Sequence, residues 1–145
     1  MKVKKLILLF ICAFCLLGCN KKEIYPDFTI KLFYLDTCGH CEAFKQQAVP
    51  ALQKKFKDAI HIEYYNMDED ESKELYHNLC DELYFYDQED LDDVPFIVMD
   101  DHFALLGYST GEEIELIKDI ERALKNEPLG EKLATYRWEF NLWKK

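Results

Sequence analysis

The sequence predicts an α/β fold: a mixed sheet of four strands flanked by helices, with an extra amphipathic helix at the C-terminal end. Three observations predict it. Apolar residues alternate over residues 28–35 and 60–67, the period of a strand, and recur every three or four positions in the stretches that follow, the period of a helix. A helical crossover makes the first two strands parallel, whereas the tight Asp100-Asp101 link makes the last two antiparallel. A length of 145 residues, 49% of them hydrophobic and 14% aromatic, fits one packed domain and excludes a disordered or multidomain chain.

The N-terminal residues are not expected to join the fold. Lys2, Lys4 and Lys5 precede an uncharged apolar run over residues 6–17, the layout of a secretory signal and too short for a permanent membrane span. Leu16-Leu17-Gly18-Cys19 resembles the lipobox of bacterial lipoproteins, which implies that residues 1–18 are a signal peptide and that Cys19 is lipidated. Cys12 and Cys15 would leave with that signal. Its removal takes away three lysines and no acids, moving the formal charge from −10 to −13. A chain this acidic is repelled by phosphate backbones, which argues against a nucleic-acid partner. The expected organisation is a lipidated tether at residues 19–27, a folded domain at 28–126 and a helical extension at 127–145. The expected location is the extracytoplasmic side of the cell membrane, periplasm or cell surface, where stable disulfides are permitted.

Within the domain, Phe28, Ile30, Leu32 and Tyr34 alternate with Thr29, Lys31 and Phe33 as the first strand. Asp36-Thr37 breaks it and caps a helix whose apolar positions are Phe44, Ala48, Leu52 and Phe56, with a kink expected at Pro50. Ile60, Ile62 and Tyr64 mark the second strand. The acids of residues 68–71 favour a helix N-terminus by opposing its dipole, with Leu75, Leu79 and Leu83 as apolar rungs. Residues 96–99 and 102–106 form two short strands around the Asp100-Asp101 turn, and Gly107 ends the second. Ser109-Thr110-Gly111-Glu112 has the spacing of a capping box before a helix with Ile114, Ile117, Ile120 and Leu124 on its inner face. Leu133, Tyr136, Phe140 and Trp143, three and four apart, give the final amphipathic helix, packed on its own domain.

Chemistry concentrates in Cys38-Gly39-His40-Cys41, where the first strand hands over to the first helix. The thiolate is the reactive form of cysteine, and a helix N-terminus stabilises it with unpaired N–H groups and the positive end of the dipole. A two-residue gap puts both sulfurs on the first turn, with Cys38 at the exposed edge to attack and Cys41 one turn in to resolve. The chain resembles the thioredoxin superfamily, and Cys-Gly-His-Cys matches the active-site tetrapeptide of protein disulfide isomerase domains. Val94-Pro95 precedes the third strand where that family has a cis-proline, and Gly107 stands where thioredoxins have a glycine beside the active site. The resemblance implies a thioredoxin-like fold and thiol-disulfide oxidoreductase activity without a cofactor, in a direction that Gly39-His40 alone does not fix. It also implies that His40 tunes the thiolate by its charge and that the Val94 backbone and Pro95 bind an extended substrate segment. The partners it implies are protein thiols and disulfides, together with a membrane redox partner that recycles the pair.

Two departures accompany the likeness. Leu32 occupies the position of the family's buried acid and Thr37 that of its tryptophan, so proton transfer at Cys41 would fall to Asp36, Glu42 or water. The alternative is a non-catalytic binding module of the same fold, in which Cys38, Cys41, His77 and Cys80 hold a metal or the first two form a fixed disulfide. Metal is not expected on the oxidoreductase reading, and Cys80 alone reads as a small buried hydrophobe. The acidic runs at residues 68–71 and 87–93 lack the spacing and glycine of a calcium loop and read as solvated surface. The second runs into Val94-Pro95 and would rim the substrate groove, disfavouring acidic partners. Phosphate-binding glycine loops, serine-nucleophile motifs and paired zinc-protease histidines are absent from the sequence.

Overall fold

Alternation along the central strands builds the molecule, seen in a computed structural model that describes residues 23–86 and 91–140. In β1 (Phe28–Tyr34), Ile30 and Leu32 face one side of the sheet and Phe33 the other. The chain continues through α1 (Gly39–Ala43), a π-helical turn (Phe44–Ala48), α2 (Val49–Phe56), β2 (Ile60–Asn66), α3 (Asp70–Glu82), β3 (Phe96–Met99), β4 (Phe103–Leu106), α4 (Glu113–Leu124) and β5 (Arg137–Glu139). The sheet has five strands in the order β2-β1-β3-β4-β5, with β1 and β2 parallel and the other neighbours antiparallel.

Each face of the sheet is covered. Ile30, Leu32, Ile97, Met99, Phe103 and Leu105 pack against Phe44, Leu52 and Phe56 of the first helical stretch and Leu116 and Ile120 of α4. Opposite them, Phe33, Phe96, Val98 and Ala104 meet Tyr76 and Cys80 of α3. At roughly 1.5 to 3 kcal/mol for each fully buried large apolar side chain, these two layers hold the helices to the sheet. The mixed α/β class thus stands as expected.

Several details differ from the sequence reading. The sheet gains a fifth strand, because residues 133–140 do not form a helix: a 3-10 turn (Ala134–Tyr136) leads into β5, whose Trp138 pairs with Ala104 of β4. Leu133 is buried on one side of the sheet and Phe140 on the other, so the segment crosses the sheet edge instead of presenting one helical stripe. In α3 the buried face is Ser72, Tyr76 and Cys80, leaving Leu75 and Leu79 half-buried beside it. The irregularity near Pro50 takes the form of a π turn just before it, in which the Val49 N–H bonds the Phe44 carbonyl. Pro50 then lies in the first turn of α2, where its missing N–H removes no helical bond. Ser109 makes half of the expected capping box, its N–H donating to Glu112 Oε2 at 2.7 Å.

The signal peptide, Cys19, residues 87–90 and Trp143 lie outside the described residues. Among the described residues no helix is long and apolar enough to cross a membrane.

Candidate functional site

Strand pairing brings the two sequence motifs together. Phe33 pairs with Phe96 in antiparallel register, so the end of β1 and the start of β3 lie at the same end of the sheet, from which residues 35–38 and 94–95 lead off. The Cys38 N–H closes a turn on the Leu35 carbonyl at 3.1 Å, with Asp36 and Thr37 exposed at its corner. The helix cap expected at Asp36-Thr37 is Cys38 itself: its backbone is extended (φ −87, ψ 110) and its Sγ accepts the Cys41 N–H at 3.1 Å. A helix N-terminal N–H aimed at sulfur favours the thiolate when the thiol is free.

Cys38 is half-buried and Cys41 wholly buried. Their Cα atoms are 5.2 Å apart, within the span a disulfide requires, and their sulfurs are bonded. Gly39 is exposed, and a Cβ added there would meet nothing within 4 Å, which leaves the approach to the pair open.

The opposite wall is Val94-Pro95, whose peptide bond is cis. The Val94 carbonyl oxygen lies 3.7 Å from Cys38 Sγ. Pro95 accepts the Gly107 N–H at 2.8 Å, and Gly107 has φ +81, the left-handed region in which a side chain would be strained. The loop leading to Val94 is tied to α3: the Tyr76 hydroxyl donates to the Asp93 carbonyl at 3.1 Å, and His77 Nε2 lies 2.7 Å from Asp92 Oδ1.

One member of the site escaped the sequence reading. Tyr108, directly after Gly107, is 3% exposed, sets its ring edge-on to Phe44 and donates its hydroxyl to Glu113 at 2.6 Å. Burial first, and the Glu113 carboxylate second, raise its phenol above the ordinary range. Its carbonyl oxygen sits 2.9 Å from Nδ1 of the exposed His40. The available signal was the glycine before it, which marks a turn that brings the next residue back against the fold.

The metal set of the binding-module alternative does not assemble. His77 is engaged with Asp92, Cys80 is buried on the inner face of α3, and among the described residues no three His, Cys, Asp or Glu side chains are grouped to hold a metal. Burial pushes the Cys80 thiol up to about 12, against an ordinary 9.0, so it stays protonated. Leu32 is fully buried in the apolar core, and no described carboxylate is bonded to Cys41; Glu42 accepts instead from Gln46 at 2.7 Å.

No known family model matches this chain, and neither does any curated protein or solved structure. Assignment of a role therefore rests on the chemistry of the cysteine pair.

Proposed function

We propose that the chain is a thioredoxin-like thiol-disulfide oxidoreductase, held by a lipid on Cys19 to the extracytoplasmic face of a cell membrane. The observation that carries this reading is Cys38 Sγ itself, capped by the Cys41 N–H at 3.1 Å, bonded to the Cys41 sulfur and faced by the Val94 carbonyl at 3.7 Å. A sulfur so placed is a good nucleophile when free and a good leaving group when joined.

In the reductive direction, the Cys38 thiolate attacks one sulfur of a client disulfide. That S–S bond breaks, its other sulfur leaves as a thiolate, and a mixed disulfide joins Cys38 to the client. Cys41 then loses its proton and attacks Cys38 Sγ, releasing the client's second thiol and forming the Cys38–Cys41 disulfide. The client gains two electrons and two protons; the pair loses them. Oxidation of a client dithiol is the same sequence in reverse. Val94 offers its main chain to an extended client segment, Pro95 shapes the groove, and His40 supplies charge near the Cys38 sulfur. With Leu32 apolar and Cys41 fully buried, the Cys41 proton leaves through Asp36, Glu42 or a water admitted when the pair opens.

The test is mixed-disulfide trapping. Cys41→Ser should accumulate a covalent adduct between Cys38 and a disulfide-bonded test protein, and Cys38→Ser should form none. Retained exchange activity in Cys38→Ser would refute the assignment.

A further inference from the structure

Strand β1 separates two ends of the molecule. Phe28 begins it and Tyr34 ends it, about 20 Å further along at the usual rise per residue. The Cys38–Cys41 pair follows the far end. α1 and α2 return to the near end, where the Phe56 ring meets Phe28 at 5.1 Å between centroids. The residues before β1 are fastened there as well. Tyr25 packs edge-on to the same Phe56 at 4.8 Å and bonds Glu121 through its hydroxyl at 2.6 Å, while Lys55 bridges Glu23 (2.8 Å) and Glu121 (2.6 Å).

Residues 23–27 are therefore part of the domain's base, and only a short stretch lies between them and Cys19. Three residues lie between Cys19 and Glu23, and the four peptide steps limit their Cα atoms to at most about 14 Å apart. A lipid on Cys19 thus brings the base of the sheet to the bilayer.

Charge distribution favours the same pose. At the base Glu23 and Glu121 are matched by Lys55 and Asp100 by Lys31, and the unpaired Asp27 and Asp58 are balanced in number by Lys54 and Lys57, which have no ion-pair partner among the described residues either. At the cysteine end, Asp36, Asp68, Glu69 and Asp93 have no ion-pair partner among the described residues. An anionic bilayer repels unmatched acids that come within a Debye length of about 8 Å and leaves matched ones nearly indifferent.

We propose that the chain stands on an anionic bilayer surface through this base, with Cys38 and Cys41 facing outward roughly 20 Å above it. It then exchanges disulfides with proteins whose thiols project clear of the membrane, and not with thiols at headgroup level. This rests on the reading of Cys19 as the lipid anchor.

Energy transfer to labelled headgroups tests it. The full chain, purified from membranes with its lipid, is placed in vesicles of phosphatidylcholine and phosphatidylglycerol. A fluorophore is attached either to Cys38 in Cys41→Ser, or at the base in Lys54→Cys combined with Cys38→Ser and Cys41→Ser. Cys80 is buried and stays unlabelled. Transfer should be several-fold stronger from the base than from Cys38. Equal or reversed transfer in a chain that floats with the vesicles overturns the orientation and leaves the anchor standing; a chain that does not float overturns both.

Discussion

His40 is bonded through Nδ1 to the main-chain carbonyl of Tyr108, 2.9 Å away and 68 positions further along the chain. A carbonyl oxygen can only accept, so Nδ1 carries the hydrogen of this bond. The contact ties the residue between the two cysteines to the buried segment that follows Gly107. It holds the imidazole beside the helix N-terminus, where a positive charge favours the Cys38 thiolate.

Removing the imidazole should slow Cys38. In the reduced protein at pH 7, His40→Leu should lower the rate of Cys38 alkylation roughly tenfold, as the thiolate fraction falls. His40→Asn, which keeps a donor for the Tyr108 carbonyl without the charge, should show a similar rate loss and smaller structural perturbation near Tyr108 by NMR. Wild-type alkylation rates in both variants would remove His40 from the site's electrostatics.

Cys80 should be silent in the folded state. Burial pushes its thiol up to about 12. In the oxidised soluble form beginning at Asn20, Ellman's reagent at pH 8 should find no fast-reacting thiol, and one after unfolding. Rapid labelling of the native protein would place Cys80 within reach of solvent and make it a candidate auxiliary redox thiol.

Alkaline pH should destabilise the fold. Burial is the first cause that raises the Cys80 thiol and the phenols of Tyr65, Tyr76 and Tyr108 above their ordinary values of 9.0 and 10.0. The unfolded chain therefore releases these protons first, and the stability they confer, fully present below about pH 9, falls as pH rises through the folded values. Denaturant midpoints should be flat through neutral pH and decline above about 9. Tyr65→Phe should make the decline shallower, because Tyr65 is the most exposed of these three phenols and the substitution keeps its ring.

Asp119 should be among the costliest positions outside the cysteines. It is 2% exposed and accepts from the Gly130 N–H at 2.8 Å, from Arg137 at 2.6 Å and from Arg122 at 3.3 Å, tying β5 and the loop before it to α4. Asp119→Ala strands the 8% exposed Arg137 guanidinium and should cost about 3–5 kcal/mol in denaturant unfolding. Asp119→Asn keeps an acceptor for Gly130 and should cost less. A loss below about 1 kcal/mol in Asp119→Ala would mean that Arg137 finds water instead.

Much of this was legible in the sequence because it is local. Alternation exposes β1 and β2, a tight acidic link exposes the β3–β4 hairpin, and a C-x-x-C at a strand-to-helix junction needs no distant residue to be recognised. What was not legible depends on packing. Leu133 and Phe140 stand seven apart, which fits a helical stripe equally well as two sides of a sheet; the pairing of Trp138 with Ala104 decides for the sheet. Leu75 and Leu79 look like the core of α3, yet the groove beneath it is lined by Phe33 and Phe96 and takes the flat ring of Tyr76 instead. The contact between His40 and Tyr108, like the buried acceptor role of Asp119, joins positions with no mutual spacing rule.

The central claim is that Cys38 and Cys41 are a working redox couple. The soluble form beginning at Asn20 should be equilibrated in glutathione buffers, its thiols counted and its metal content read in the same samples. The account predicts a reversible two-electron transition between about −270 and −120 mV, with the lower end marking a reductase and the upper end an oxidase or isomerase. A Cys38–Cys41 bond that shows no reversible transition, or zinc bound at one per chain, would contradict it and make the protein a binding module.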